Sequence, residues 1–434
     1  MTTQNDPTNL NAPKRSNADY LGPSRWESVS HLKTELKKKP SYTAKDFFGK
    51  MVWNWIYHYV KSRFGKKHPY PAWDAADSGV YSITPEQTGE AIRIAIASDW
   101  ATDTDESFAI AERMANHKPH FTIHVGDTYY VGAPHEVRSN FTDEGAPWPK
   151  GSAGSFAVLG NHEMYARGSA FFETLLPAMG IRNGEDKFAG QKAGYFCLET
   201  PHWRILGLDT GYHSVGKPLL EFLPFFKPDC KFDEKLMDWL KNTVRLGDTN
   251  DKRGLLILTH HQFISAFNKE SEYMKPASQL GELLGKERKV LWLWGHEHKL
   301  SFFSKTQLKD SPQVYGRCIG FGGTPVEIGG KSFQLSNKLK GYEKLVAVDR
   351  RRNKKVEDVE VGFNGYAVIK LKDDVMAIEY HDSDASDRDN PGPLAVETWK
   401  VDLSTGELQG SIVECKKGLL TFAEGKVLDE AVKA

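Results

Sequence analysis

Cysteine is scarce in this chain. The four present (Cys197, Cys230, Cys318 and Cys415) lie far apart with no C-x-x-C pair. Neither a disulfide framework nor a cysteine zinc site is indicated by that spacing. An excess of charge of one sign is also missing, because 57 Lys and Arg balance 57 Asp and Glu. That balance argues against wholesale nucleic-acid binding and leaves room only for local basic patches. No uninterrupted apolar run reaches the roughly 18 residues of a membrane span. The polar stretch from Met1 to Asn11 carries no apolar h-region, so a cytoplasmic protein is the expectation.

The residues present suit a folded enzyme-sized chain. Its 434 residues are 39% hydrophobic and 26% charged, with 11 Trp, a composition that supports a core and argues against global disorder. The length fits one large α/β domain with extensions. Residues 1–85 read as a polar arm (1–40) followed by an amphipathic helix over Ala44–Phe64. In that helix Phe48, Val52, Trp55, Ile56, Tyr59 and Val60 recur at helical spacing among lysines. Docking on the main domain is the expected role of the helix; its Trp and Lys content leaves contact with a membrane surface through residues 44–64 as the alternative.

Residues 86–330 alternate short apolar runs with polar helical segments. The runs are Ile92–Ala97, Phe121–Val125, Phe156–Leu159, Leu255–Leu258 and Val290–Trp294, and Asp105–Asn116 and Asp233–Val244 read as helices. Buried strands alternating with helices predict a layered α/β domain. Residues 331–434 read as a Lys-rich linker over 330–362, then strands at Tyr366–Leu371, Val375–Tyr380 and Val396–Val401, with an acidic loop at Ser383–Pro393.

The chemistry lies in the polar residues just past each apolar run: Asp99, then Asp127, then Asn161 with His162, then His260 with His261, then His296 with His298. Ligands collect at the carboxyl ends of strands in α/β sheets. Each block alone has a plainer reading. An Asp after a strand is commonly a helix cap or turn former, and Gly160-Asn161 suits a tight turn. His296 and His298, two apart on an extended segment, point the same way. Five such blocks in order are better explained by one metal site.

The ordered series D…GD…GNHE…H…GHEH, closed by the Gly-rich turn Gly320–Thr324, resembles the calcineurin-like metallophosphoesterases over roughly residues 92–325. The resemblance implies an αββα sandwich with an N-terminal helical extension and a C-terminal β segment. It also implies a pair of metal ions that activate a bridging hydroxide against a phosphate ester. One block departs from the pattern: Asp99-Trp100-Ala101 stands where D-x-H is usual. The second block, Gly126-Asp127-Thr128-Tyr129-Tyr130, matches G-D-x-x-Y, and the two changes together resemble the purple acid phosphatase branch. The spacing then favours Tyr130 over Tyr129 as the compensating ligand. By resemblance, Asp99, Asp127, Tyr130 and His298 hold the first metal, and Asp127 bridges to a second held by Asn161, His260 and His296. Hard oxygen donors suit iron at the first position, and the second suits Zn, Mn or Fe; without a tyrosinate ligand, two divalent ions fit better. His162 is implied as the group that stabilises the transition state or protonates the leaving group, and His261 is a candidate for phosphate contact. Tyr165, Arg138 and Arg167 lie near these blocks in sequence.

These readings lead to a phosphomonoesterase of the acid-phosphatase kind acting on a small phosphorylated substrate. The alternatives are a phosphodiesterase acting on a cyclic nucleotide, nucleic acid or lipid headgroup, and a degenerate scaffold that binds protein. The sequence carries no reading of oligomeric state.

Overall fold

The computed structural model describes residues 42–63, 65–83, 90–183, 187–216, 230–384, 392–415 and 421–422. The polar arm and most of the acidic loop (385–391) lie outside the described residues. Where one helix is expected over 44–64, two are found, α1 (Ala44–Phe48) and α2 (Lys50–Arg63), separated at Gly49. Thr43 opens α1, its hydroxyl accepting the Asp46 N–H at 3.3 Å, the usual use of a Thr at this position. Among the described residues, no helix is long and apolar enough to cross a membrane.

Strand β1 (Ile92–Ala97) shows why the sequence builds layers. Its isoleucines, Ile92, Ile94 and Ile96, face one apolar cluster, whereas Ala95 and Ala97 face another. Both faces of the strand are therefore covered. β1 pairs in parallel with β2 (Phe121–His124), and β2 in parallel with β3 (Gly154–Ala157). A second sheet sets β4 (Trp203–Gly207), β5 (Gly254–Thr259), β6 (Lys289–Trp294) and β7 (Gln313–Ile319) side by side in parallel. The isoleucine face of β1 and the Leu256, Leu258, Leu291 and Leu293 side chains share one core between the sheets. Rings span it, with Phe156 and Phe196 centred 4.6 Å apart, and each such side chain contributes about 1.5–3 kcal/mol by burial.

Helices cover the outer faces. α3 (Asp105–Asn116) lays Ile110, Ala111 and Met114 against Ala95 and Ala97. It is followed by the single turn α4 (Asn161–Tyr165), by α5 (Glu234–Asn242), and by α6 (Met274–Leu284). Leu236, Trp239 and Leu240 of α5 and Ala277 and Leu280 of α6 extend the same apolar cluster. The result is a layered α/β sandwich.

The C-terminal strands do more than pack on this core. β8 (Gly365–Lys372) pairs antiparallel along the free edge of β1, with Ile369 opposite Ile94. β9 (Val375–Asp382), Ala395–Val401 and Leu408–Cys415 continue the same sheet. This covers an edge that would otherwise offer unpaired backbone groups. The two sheets are also tied by a buried ion pair between Arg317 and Glu397.

Candidate metal centre

Each block of the series leaves the carboxyl end of its strand in a turn that aims a side chain at one rim. Asp99, Asp127 and His296 adopt left-handed backbone, with φ of 56°, 70° and 65°. Non-glycine residues rarely hold this conformation, and where they do it tends to be at functional sites. The turns are held by close backbone approach. At Gly126, also left-handed at 86°, a Cβ would lie 2.7 Å from His260 Nδ1; at Gly160 it would lie 2.2 Å from Asp127 Oδ1. The Gly-rich turn 320–324 closes on the first block, with the Gly323 and Thr324 N–H groups both donating to the Asp99 carbonyl at 3.0 Å.

The side chains converge. Asp99, Asp127 and His260 offer ligand atoms within 4.8 Å of one another, and so do His260, His261 and His296. His260 Nε2 lies 3.2 Å from Asp127 Oδ2 and 3.2 Å from Asn161 Oδ1. His298 Nε2 lies 3.5 Å from Asp99 Oδ1. The ring of His296 is centred 5.3 Å from that of His260, and its backbone N–H donates to Asp99 Oδ2 at 2.9 Å. Asp127 stands between the two groups, its Oδ1 accepting the His162 N–H at 3.0 Å.

The tyrosine assignment changes. The hydroxyl of Tyr129 lies 2.9 Å from Asp99 Oδ1, 3.1 Å from Asp127 Oδ2 and 2.9 Å from His298 Nε2. Tyr130 turns the other way, and its hydroxyl donates to the Phe47 carbonyl of α1. Counting residues cannot distinguish adjacent tyrosines whose side chains leave a tight loop in opposite directions.

The electrostatics call for a cation. Asp99 and Asp127 are buried, and among the described residues no Lys or Arg pairs with either. Their ionic partners are histidines alone. Burial would raise the Asp127 carboxyl, but His162 and His260 hold it well below the usual carboxylate range. Burial would lower His260, yet Asp127 and Asp99 hold it up at about 10. Among the described residues imidazoles are thus the groups that face the two buried carboxylates, and buried charge without a partner is costly. Carboxylate, amide and imidazole donors at this spacing fit divalent or trivalent metal ions that would take over that role.

Neighbouring groups orient the donors. His260 Nδ1 lies 2.9 Å from the Val125 carbonyl, which fixes that nitrogen as the N–H and turns Nε2 to the cluster. Asn161 donates through Nδ2 to the Tyr165 hydroxyl at 3.1 Å, leaving Oδ1 for the cluster. Glu163, to which sequence reasoning gives no role, is buried. Its Oε2 accepts the Gly160 N–H at 2.9 Å and the Asp127 N–H at 3.3 Å, and burial pushes its carboxyl up to about 7. The acidic residue ending the Gly160–Glu163 block is the one signal in the sequence that points to it.

His162 has its Nδ1 on the Tyr130 carbonyl and its Nε2 3.7 Å from Asp127 Oδ2, with the side chain partly open to solvent. His261 is buried behind His296, 4.7 Å between ring centres, and its Nδ1 lies 3.0 Å from the Thr210 hydroxyl. Arg138 is exposed, and Arg167 donates to the Gly65 carbonyl. The N-terminal helices reach this rim: Phe47 packs on Tyr129 and Tyr130, and Tyr59 packs on Tyr165 at 5.4 Å.

The model of the calcineurin-like phosphoesterase family matches residues 92–300. No curated protein matches the sequence. Among solved structures, GAP50, the anchor in the inner membrane complex of Plasmodium, is 15% identical, with 75% of this chain and 90% of that one covered at a TM-score of 0.42. PhoD is 12% identical, with 79% and 74% covered at 0.49. The purple acid phosphatase PPD1 from seeds of yellow lupin (Lupinus luteus) is 12% identical, with 73% and 55% covered at 0.44. Every residue brought to the rim from the five blocks lies inside the family match, and residues 92–300 of this chain are a calcineurin-like phosphoesterase domain.

Proposed function

We propose that the rim would hold two metal ions, with Asp127 placed to serve both, and that the chain hydrolyses phosphomonoesters. The observation that carries this reading is the position of Asp127, between Tyr129 on one side and His260 on the other. In the proposed arrangement Asp99, Asp127, Tyr129 and His298 would hold the first ion, with Tyr129 in the role that spacing assigns to Tyr130. Asp127, Asn161, His260 and His296 would hold the second. A phenolate among hard oxygen donors suits iron at the first position, and the mixed N/O set suits Zn, Mn or Fe at the second. When bound, two such ions would neutralise the phosphate oxygens and lower the pKa of a water held between them.

The chain's own residues do the rest. His162, oriented by the Tyr130 carbonyl, presents Nε2 at the open side of the rim. From there it can hold a proton for the leaving alkoxide, a role typically worth about 10²–10⁴ in rate. Tyr165 stands edge-on beside His162, with Tyr59 edge-on to Tyr165, and a monoester, which needs no room for a second arm, is the substrate assigned to this rim.

The test is hydrolysis of matched nitrophenyl mono- and diesters by protein supplied with Mn²⁺, Zn²⁺ or iron, beside Asp127→Ala. Faster monoester turnover that the substitution abolishes is the expected result. Diester preference would overturn the substrate assignment, and activity surviving in Asp127→Ala would overturn the two-metal site.

A further inference from the structure

A second group of metal-binding side chains sits on the outer face of the first sheet and shares no residue with the rim. On β9, Met376, Ile378 and Tyr380 turn into the inter-sheet core. Residues two apart on a strand project to the same side, so Glu379 and His381 stand together on the opposite face. α3 covers that face and ends at His117, its C-cap. The His117 ring is thereby set 4.5 Å, centre to centre, from that of His381. One nitrogen from each ring and one Glu379 oxygen lie within 4.8 Å of one another.

We propose that His117, Glu379 and His381 form a binding site for a late first-row divalent ion, zinc in the first instance. Two imidazoles and one carboxylate are a recurrent zinc donor set. The His381 Nε2 to Glu379 Oε2 distance of 3.2 Å already suits two ligands of one tetrahedral ion with bonds of about 2.0–2.2 Å. A His117 nitrogen within 4.8 Å of both supplies the third.

The surroundings orient the donors. The Tyr366 hydroxyl lies 3.0 Å from His117 Nε2, and its ring stacks on His381 at 5.2 Å, the kind of outer partner that fixes a ligating imidazole. The Lys370 ammonium donates to Glu379 Oε1, which leaves Oε2 for the ion. Two nitrogens and a single oxygen next to an ammonium group disfavour Mg²⁺ and Ca²⁺ and favour Zn²⁺. A bound ion would pin the end of α3 to the C-terminal strands. It would stabilise the folded chain in proportion to its binding.

The experiment is zinc titration of the chelator-stripped full chain against a chromophoric competitor, with metal counted after gel filtration. Wild type is expected to hold one more zinc per chain than His117→Ala/His381→Ala, and to show a larger zinc-induced rise in Tm than the variant, whose rim still binds the ion. Retained phosphoesterase activity with Mn²⁺ checks that the variant folds. Should it not fold, Glu379→Gln replaces it, with zinc affinity at this site expected to fall tenfold or more. Equal zinc counts in wild type and the double variant, or unchanged affinity in Glu379→Gln, would overturn the proposal.

Discussion

The rim cluster and the outer-sheet cluster are built from the same residue types, a carboxylate, imidazoles and a tyrosine, yet they are held in opposite ways. At the rim the side chains leave turns past the strand ends, on backbone in the left-handed region at Asp99, Asp127 and His296. On the outer face they stand on regular secondary structure, two residues of β9 and the cap of α3. The charge balance differs too. Glu379 has Lys370 beside it, whereas Asp99 and Asp127 have only histidines among the described residues. A site that buries two carboxylates without a Lys or Arg is one whose charge is completed by an added cation. A site already neutralised can fold without one.

The substitutions that break this contrast most strongly are at the rim. Asp127→Ala removes the shared carboxylate and is expected to lower kcat/KM by roughly 10³-fold or more, several kcal/mol of transition-state stabilisation, read by steady-state kinetics with saturating metal. His162→Gln keeps the metal donors and removes the proton carrier. A loss of roughly 10²–10³ in kcat is expected, with metal content unchanged by mass spectrometry. Tyr129→Phe and Tyr130→Phe form a sharper pair. The first is expected to weaken metal binding by about 10–100-fold and to abolish any visible tyrosinate-to-iron band. The second is expected to leave both intact, since its hydroxyl serves the Phe47 carbonyl.

The smallest expected effect is on stability. Burial, with Arg93 nearby, pushes His120 down to about 4, and burial pushes the fully enclosed His124 down to about 3. Both folded-state values are depressed below the unfolded value of about 6.5. Their neutral forms therefore contribute stability that is complete above about pH 6.5 and is lost as pH falls toward 4. The denaturant midpoint is expected to be lower at about pH 5 than at about pH 7.5, and His124→Phe should shrink that difference. A midpoint independent of pH over this range would contradict the burial of neutral rings.

Much of the rim was legible because strand ends are marked twice, by an apolar run and by the polar residue that stops it. Ile92–Ala97 followed by Asp99, and Lys289–Trp294 followed by His296 and His298, carry both marks. What composition and spacing could not carry was direction inside a tight turn. Tyr129 and Tyr130 are chemically identical, and they differ in what their hydroxyls meet, Asp99, Asp127 and His298 for the first and the Phe47 carbonyl for the second. Long-range pairing was equally hidden. The β8 pattern announces a strand, but nothing local says that its partner is β1, far earlier in the chain, with Ile369 opposite Ile94. The outer-sheet cluster depends on that pairing, because it joins a helix cap at His117 to strand residues at 379 and 381.

The most direct test of the central claim is anomalous scattering from crystals of the protein loaded with iron and Zn²⁺. The account predicts two peaks about 3.5–4 Å apart on either side of the Asp127 carboxylate, with the Tyr129 oxygen bound to one of them. A single peak, or a pair that does not share Asp127, would contradict it.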